Sequence, residues 1–417
     1  MSSLALLGGT PVRSRPWPRW PVRDETERQQ LLDSFDNSSW GGFPFPGKKT
    51  SELAERFARF QDAKYGIPCA NGSISLEICL RAAGVKAGDE VIVPCTSWVA
   101  TGAAPIWVNA VPVFVDINPV NYCIDVDAIE AAITPRTRAI IPVHLGSAMA
   151  DLDRLTDIAA RHGLALIEDC AHAHGNRWRD RGVGSWGTFG SFSFQTSKIL
   201  TSGEGGFITT NDDVLRQKVM SMVNCGRKEP GYDGFQGHIL GYNARMTELQ
   251  CALMLAQLAR AEELQQRKEA AADLLTRGLA EVGGFIAVPR DPRETRRGIY
   301  QFILKYDASQ FCGLPRDRVL EALAAEGVDM DGVFYVPMPF NPIFAARSDE
   351  FPMLRERYGD GIQAPETLRR MKFPVAMRFA HEEGCWLHYP YLLDGEQGVR
   401  DIVEAVAKVK KHAADLA

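Results

Sequence analysis

The chain has 417 residues, of which 45% are hydrophobic and 24% are charged, and its 47 basic and 52 acidic residues give a net charge of −5. These values exclude a small disulfide-linked scaffold and an extensively disordered chain, and they leave no overall basic field that would hold a nucleic acid. At this length we expect a large domain together with a smaller one.

The cysteines predict a reducing environment. There are nine of them, an odd number, scattered singly and without a CxxC pair, which is typical of reduced thiols in a cytoplasmic protein. The first residues, MSSLALLGGTPVRSRPWPRW, contain only a short apolar run, so they fit neither a signal peptide nor a membrane span. The sequence therefore predicts a cytoplasmic location and no membrane partner.

Short apolar runs alternate with amphipathic runs between about residues 66 and 210. The predicted strands are, in chain order, 90–94 (EVIVP), 111–116 (VPVFVD), 139–143 (AIIPV), 164–169 (LALIED), 190–194 (GSFSF) and 206–210 (GFITT). Apolar spacing predicts helices over 75–84 and 150–162. Nearly all-apolar strands separated by helices indicate an α/β fold with a mostly parallel sheet that is covered on both faces.

The second half of the chain has a different pattern. A long run over 246–282, rich in Ala, Leu, Glu and Gln, predicts one helix that leaves the first domain. Beyond it, 300–306 reads as a strand, and 316–327 and 398–411 read as helices, which indicates a smaller α+β unit. We therefore divide the chain into an N-terminal segment, a large domain and a small C-terminal domain, with these boundaries: 1–48, 49–270 and 271–417.

Ligands of open α/β sheets bind at the carboxyl ends of the strands, where the first polar cluster is Asn71-Gly72-Ser73. Gly and Ser at a helix start offer free N–H groups, a hydroxyl and the positive end of a helix dipole, which suit a phosphate. The same residues also fit a plain helix N-cap.

The second cluster is EDCAHAH at 168–174. Asp169 could pair with a cationic ring nitrogen, cap a turn, or bind a metal together with His172, His174 and Cys170. Spacing leaves these readings open. Because no second group of ligands stands at a recognisable spacing, we predict no metal.

The third cluster is SFSFQTSK at 191–198, followed by ILTSGEGG. A lysine after a strand is usually a solvated surface charge. Lys198, however, lies between two runs that read as buried, and desolvation lowers the pKa of an amine and frees it for a Schiff base.

The fourth cluster is GYNARMTE at 241–248, where Asn243 and Thr247 also fit a simple cap. Taken together, an acid after one strand, a lysine after another and a Gly-Ser phosphate cradle supply the groups that pyridoxal phosphate needs. No GxGxxG motif follows an early strand, so the sequence lacks the main feature that would favour a nicotinamide-dependent dehydrogenase.

At this point the sequence resembles the sugar and cyclitol aminotransferases of fold-type I, which depend on pyridoxal phosphate. The resemblance covers nearly the whole chain. It is carried by NGS at 71–73, GDEVIVPCTSWVAT at 88–101, VPVFVDI at 111–117, IPVHL at 141–145, IEDCAHAHG at 167–175, FSFQTSKILTSGEGG at 192–206 and GYNARMTELQCALMLAQL at 241–258.

The resemblance implies roles for four residues around the cofactor ring. Lys198 matches the lysine that forms the Schiff base and then moves the proton. Asp169 matches the carboxylate on the ring nitrogen, and His172 matches the position beside the ring hydroxyl. Trp98 matches the aromatic residue that stacks on the ring.

The resemblance also implies a shared site in a homodimer. Ser73 and Ser193, with the backbone around Ile74, match phosphate-binding positions, and Asn243 matches a phosphate ligand donated by the neighbouring subunit. The loop around Trp40, at the end of the 1–48 segment, matches one that approaches the partner's substrate pocket.

The substrate expectation comes from the same likeness. Relatives that act on nucleotide-linked sugars commonly have a Tyr soon after the VHL segment, where this chain has Gly146 and Ser147. This form resembles the cyclitol branch, similar to L-glutamine:scyllo-inosose aminotransferases and aminohydroxybenzoate synthases. It implies transfer from L-glutamine, or L-glutamate, to a keto-cyclitol in aminocyclitol biosynthesis, with His144, Ser147 and His174 as candidate substrate contacts.

Other functions remain open at this stage. A nucleotide-keto-sugar aminotransferase, or a synthase that also dehydrates its substrate, would retain Lys198. Dehydratases that use pyridoxamine phosphate have a histidine in place of that lysine. A non-catalytic regulatory module would lack Lys198, Asp169 or Ser193, and all three are present.

Overall fold

The structure is a computed structural model that describes residues 3–41 and 45–416. Residues 42–44, which belong to the predicted substrate and dimer loop, lie outside the described residues.

The strands, in chain order, are β1 (Tyr65–Cys69), β2 (Glu90–Pro94), β3 (Val111–Val115), β4 (Thr137–Ile140), β5 (Ala165–Asp169), β6 (Arg177–Trp178), β7 (Arg181–Gly182), β8 (Phe189–Ser193), β9 (Gly206–Thr210), β10 (Phe285–Ala287), β11 (Glu294–Arg296), β12 (Gln301–Tyr306), β13 (Met330–Asp331) and β14 (Gly384–His388). The α-helices are α1 (Glu25–Asp36), α2 (Lys48–Phe60), α3 (Gly72–Ala82), α4 (Val99–Trp107), α5 (Val126–Ala132), α6 (Leu152–His162), α7 (Asp213–Val223), α8 (Glu248–Ala259), α9 (Ala261–Val282), α10 (Arg316–Ala325), α11 (Arg355–Tyr358), α12 (Pro365–Arg370), α13 (Pro374–Arg378) and α14 (Gly395–Lys411).

A seven-stranded sheet forms the centre of the larger unit, with the order β1-β9-β8-β5-β4-β2-β3. Strands β3, β2, β4, β5 and β8 pair in parallel, whereas β9 runs antiparallel to both β8 and β1. All five residues of β2 are buried, as its continuous apolar run predicts for an inner parallel strand. The α/β prediction with a mostly parallel sheet is confirmed.

The smaller unit is built on an antiparallel four-stranded sheet, β10-β12-β14-β13. Its core packs residues of α9, α10 and α14 against that sheet, including Leu275, Leu323 and Val406. This arrangement confirms the predicted smaller α+β unit, while the residue boundaries of the domains stay a prediction.

The run 246–282 is not one helix. It forms α8 and α9, which meet at Arg260, where the backbone leaves helical geometry with φ −107° and ψ 2°. The side chain of Arg260 there forms ion pairs with Glu27 and with Asp24, the residue that caps α1. The sequence prediction missed this break, and the residues that pair with Arg260 there lie more than 200 positions earlier.

Candidate active site

A cavity of about 450 Å³ opens at the carboxyl ends of the sheet strands, where polar side chains were expected. It brings together six of the predicted site residues, which are Ser73, Trp98, Asp169, His172, Ser193 and Lys198. The remaining described lining residues are Asn71, Gly72, Leu76, Ser97, Ala100, Val143, Ala171, Gln195, Ser197, Glu204, Tyr300, Phe334 and Tyr335.

The N-terminus of α3 forms one end of the cavity. The side chain of Asn71 caps the helix by accepting a hydrogen bond from the N–H of Ile74 at 2.9 Å. A Cβ atom on Gly72 would lie 2.7 Å from the Cβ of Ser193, so a side chain there would collide with β8. Glycine therefore allows a close, open cradle between α3 and Ser193 that suits a phosphate.

Ile74 does not line this cradle, although the sequence reading placed its backbone there. Its N–H is already bonded to the cap, because Ile74 occupies the third position of the helix. The first two residues of α3, Gly72 and Ser73, are the ones at the cavity wall.

Asp169 ends β5 inside the cavity wall and is buried. Thr101 donates a hydrogen bond to its Oδ2 at 2.9 Å, and the N–H of Ala171 donates to its Oδ1 at 3.2 Å. Burial raises the pKa of the Asp169 carboxyl, although these two hydrogen bonds act in the opposite direction. A cation placed against the carboxylate would lower that pKa again, so the site favours a positively charged partner.

Lys198 lies beyond β8 with its amine 4.4 Å from the centre of the Tyr300 ring. Burial lowers the pKa of the Lys198 amine to about 8, while the negative charge of Asp169 acts in the opposite direction. A substantial neutral fraction near pH 8 makes this amine a nucleophile.

His172 forms a wall of the cavity beside Tyr300, and the two rings stack with centres 4.1 Å apart. The N–H of Gly146 donates to Nδ1 of His172 at 3.2 Å, which assigns the ring proton to Nε2. Burial lowers the pKa of His172 well below its usual range, so the ring is a neutral hydrogen-bond donor.

His144 does not reach the cavity, in contrast to its predicted substrate contact. It is buried, its Nδ1 accepts a hydrogen bond from the N–H of Ala150, and its Nε2 contacts Glu168 at 3.3 Å. Both ring nitrogens are therefore engaged within the protein.

His144, Glu168 and Cys170 form a compact group whose ligand atoms lie within 4.8 Å of one another. The Glu168 carboxylate also accepts hydrogen bonds from the backbone N–H groups of Gly184, Trp186 and Gly187. Burial raises the pKa of the Cys170 thiol well above its usual range. The Glu168 carboxylate is thus held by His144 and by the backbone, and it positions the loop after β7.

Ser147 and His174 also lie behind the cavity wall. The Oγ of Ser147 accepts a hydrogen bond from the N–H of Ile303 at 3.2 Å, which joins the two units. Nε2 of His174 donates to the carbonyl of Ser193 at 2.9 Å, and burial lowers the pKa of His174 to about 3. The chain turns after β5 instead of continuing as a strand, so His172 and His174 face different surroundings.

Asn243 and Trp40 lie on the surface and do not line this cavity. Asn243 is exposed and forms an isolated β-bridge with Asn224. Trp40 is 55% exposed, and its ring stacks on the exposed ring of Phe35 at 5.9 Å.

Three aromatic wall residues were missed as site residues by the sequence reading. Tyr300, Phe334 and Tyr335 come from the smaller unit, more than 100 positions after Lys198. No local motif marks them, although the strand that begins next to Tyr300 was predicted. The pairing of β12 with β14 and the contact of Ser147 with Ile303 bring this wall to the sheet.

The fold matches a solved structure of 3-amino-5-hydroxybenzoic acid synthase with a TM-score of 0.82 and 29% sequence identity, over 97% of this chain and 100% of that one. An amine, a buried carboxylate and a serine-lined helix N-terminus fit the aldehyde, the ring nitrogen and the phosphate of pyridoxal phosphate. The fold is that of a pyridoxal-phosphate-dependent transferase of fold-type I, and the groups in the cavity fit its cofactor.

The sequence pattern of the DegT/DnrJ/EryC1/StrS aminotransferase family matches residues 22–365, and the chain belongs to this family. It is a pyridoxal-phosphate-dependent aminotransferase, as the sequence analysis expected. The chain is also similar to two whole-length relatives. A protein of Streptoalloteichus tenebrarius, provisionally named L-glutamine:3-amino-2,3-dideoxy-scyllo-inosose aminotransferase, is 48% identical over 99% of this chain and 98% of its own. The L-glutamine:2-deoxy-scyllo-inosose aminotransferase of Streptomyces kanamyceticus is 38% identical over 100% and 99%.

In the part of the chain that the structure describes, we find no helix long and apolar enough to cross a membrane.

Proposed function

We propose that this enzyme transfers the amino group of L-glutamine to the ketone of a cyclitol that already carries one amino group. The observation that carries the proposal is the likeness along the whole chain. Identity is 48% to the relative named for 3-amino-2,3-dideoxy-scyllo-inosose and 38% to the relative named for 2-deoxy-scyllo-inosose. The aminated product would serve aminocyclitol biosynthesis.

The lining of the cavity supports a substrate without a nucleotide. Among the described residues that line it, Lys198 is the only lysine or arginine, so the chain's own wall offers no second fixed cation for a diphosphate. Its polar groups otherwise include serines, Gln195 and the phenol of Tyr335, which suit the hydroxyls of a cyclitol.

We assign the cofactor contacts to residues of this cavity. Pyridoxal phosphate, when bound, accepts the amino group from the donor and passes it to the ketone. Lys198 supplies the amine that holds the cofactor and afterwards moves the proton at the reacting carbon. Asp169 binds the ring nitrogen and keeps it protonated, and Nε2–H of His172 donates beside the ring. Trp98 offers an aromatic face for stacking.

We assign phosphate binding to the cradle at α3. The N–H groups of Gly72 and Ser73 stand at the helix N-terminus, where the dipole favours an anion, and Ser73 and Ser193 line the same space. Binding there would fix the cofactor at one end while Lys198 and Asp169 orient the ring.

A ketone panel tests the substrate proposal. With L-glutamine as donor, kcat/KM for keto-cyclitols should exceed that for nucleotide-linked 3-keto and 4-keto hexoses by about a hundredfold or more, because the wall offers no paired cations for a diphosphate. Among the cyclitols, the amino-bearing ketone should react best. Mass spectrometry of the product identifies amination.

Two outcomes would contradict this proposal. A preference for nucleotide-linked hexoses would favour the sugar branch, and a product that has also lost water would favour a synthase like the 3-amino-5-hydroxybenzoic acid enzyme. Both would leave the cofactor contacts unchanged.

We also propose a homodimer in which each cavity is completed by the partner chain. Leu240, three residues before Asn243, is 91% exposed, and Trp40 and Phe35 form an exposed aromatic pair. Large exposed apolar groups of this kind mark contact surfaces. Asn243 would then reach the phosphate in the partner's cavity, and the loop at Trp40 would approach the partner's substrate.

Mixed dimers test this shared site. Lys198→Ala and Asn243→Ala should each be inactive alone, but subunit exchange should restore activity, because one of the two cavities in a hybrid then keeps both residues. Native mass spectrometry counts the hybrids, and the expected activity is about half that of wild type per hybrid. Hybrids that form and stay inactive would place Asn243 in its own chain's site.

The cysteines support a cytoplasmic location for the enzyme. All nine are free thiols, and seven of them are buried. Free thiols in this number suit a reducing compartment.

A further inference from the structure

The loop that carries Lys198 is held by aromatic side chains from distant parts of the chain. Trp20 donates from its indole nitrogen to the carbonyl of Thr196 at 2.9 Å. The hydroxyl of Tyr300 contacts Oγ of Ser197, also at 2.9 Å. The loop therefore depends on the N-terminal segment and on the smaller unit for its position.

Tyr389 makes the third contact and touches the lysine's own backbone. Its hydroxyl donates to the carbonyl of Ser197 at 3.0 Å and lies 3.4 Å from the carbonyl of Lys198. Its ring packs edge-on against Trp20 with centres 5.0 Å apart and lies 6.0 Å from Tyr300. These rings form one connected support, which we call the aromatic clamp: Trp20, Tyr300 and Tyr389.

A buried lysine lies directly behind this clamp. Lys268 of α9 is 2% exposed, and its amine lies 5.0 Å from the centre of the Tyr389 ring. Its hydrogen bond to the carbonyl of Ile299, at 3.4 Å, is long, and Ile299 is the residue before Tyr300. Lys268 therefore contacts the ring of one clamp residue and the backbone next to another.

Keeping Lys268 buried costs stability. Burial lowers the pKa of the Lys268 amine to about 7, so the folded state holds its proton less tightly than the unfolded state does. The penalty is complete below about pH 7 and disappears as the pH rises toward the unfolded pKa of about 10.5. A methionine would fill the same space without this penalty, so packing alone does not account for a lysine here.

We propose that Lys268 is a positioning residue for Lys198, acting through Tyr389 and through the Ile299–Tyr300 backbone. Its amine lies against the face of the Tyr389 ring and holds that ring where the hydroxyl reaches the carbonyls of Ser197 and Lys198. The contact with Ile299 holds Tyr300, whose ring lies 4.4 Å from the Lys198 amine. Loss of either contact lets the loop drift, and displacements near 1 Å cost about a hundredfold in rate.

The inference rests on Lys198 being the amine that carries the cofactor, and its test separates the two claims. Lys268→Met and Tyr389→Phe are compared with wild type, with the exposed Arg277→Met on the same helix as the matched control. The first readout uses cofactor-free protein: acylation of the Lys198 amine by acetic anhydride, followed by mass spectrometry of its peptide. The second is kcat and KM of the loaded enzyme.

Both variants should lower kcat by about tenfold to a hundredfold with KM nearly unchanged, because the lysine is misplaced while the substrate walls remain. The pH profile of Lys198 acylation should shift in both. Lys268→Met should also raise the melting temperature at pH 6.5 by more than at pH 10, because the proton penalty is gone. Arg277→Met should match wild type in every readout.

Folded variants with kcat and Lys198 acylation within about twofold of wild type would overturn the proposal. A fall in kcat with an unchanged acylation profile would overturn it as well, since Lys268 would then act elsewhere. Turnover retained in Lys198→Ala would instead refute the role of Lys198 itself.

Discussion

Lys198→Ala should lower kcat by about 10⁴-fold or more, since the variant loses both the amine that holds the cofactor and the base that moves the proton. The phosphate cradle at α3 is untouched, so the variant should still bind pyridoxal phosphate without a covalent link. The supporting observation is a lysine amine inside the cavity whose pKa burial lowers to about 8.

Borohydride reduction checks the same claim directly. In wild type, reduction should remove the visible absorbance of the bound cofactor and leave its mass on the peptide that contains Lys198. Lys86→Ala, on an exposed turn before β2, is the matched lysine control and should keep both turnover and adduct. An adduct on another lysine, or full turnover of Lys198→Ala, would contradict the assignment.

Asp169→Asn should have the second largest effect, a loss of about 10²-fold to 10³-fold in kcat with the cofactor still bound. The amide keeps the size of the carboxyl and can still bond to Thr101, but it no longer holds a positive charge on the ring nitrogen. Without that charge, the cofactor ring accepts electrons from the reacting carbon less easily.

The measurement is kcat for the complete reaction, together with the absorbance of the bound cofactor. Asp157→Asn, exposed on α6, is the matched control and should behave as wild type. If Asp169→Asn keeps kcat within about threefold of wild type, the carboxylate does not serve the ring nitrogen.

The sequence predicted the central sheet well because its inner strands are continuous apolar runs. The expected strands 90–94 and 206–210 match β2 and β9 in both bounds. β1 was not predicted: the YGIPC run contains both Gly and Pro, and it is held at the sheet edge by pairing with β9. Such pairing is a long-range contact, which a local sequence pattern does not predict.

Long-range contacts also hold the start of the chain. Arg13 binds Asp394 and Asp401 of the smaller unit at 2.8 and 2.7 Å. The Glu326 carboxylate accepts hydrogen bonds from the N–H groups of Ala5 and Val12. The first residues are thereby joined to a unit more than 300 positions away, which their polarity and prolines did not indicate.

The candidate site was predictable where residues follow a strand end and less so elsewhere. Asp169, Lys198 and Ser73 meet in one cavity because parallel strands end at one edge. His144 and Ser147 also follow a strand of this sheet, β4, but their side chains form hydrogen bonds within the protein instead of lining the cavity. Nothing in their local sequence separates a side chain that faces the cavity from one that supports its wall.

The origin of the transferred nitrogen distinguishes transamination at Lys198 from any other route to the amine. The enzyme is incubated with a keto-cyclitol and with L-glutamine labelled with ¹⁵N at the α-amino group. The mass of the cyclitol product is then measured by mass spectrometry. We expect an aminocyclitol that carries the label, no label from glutamine labelled only at the amide, and no product with Lys198→Ala. An unlabelled product, or one labelled from the amide, would contradict transamination by this site.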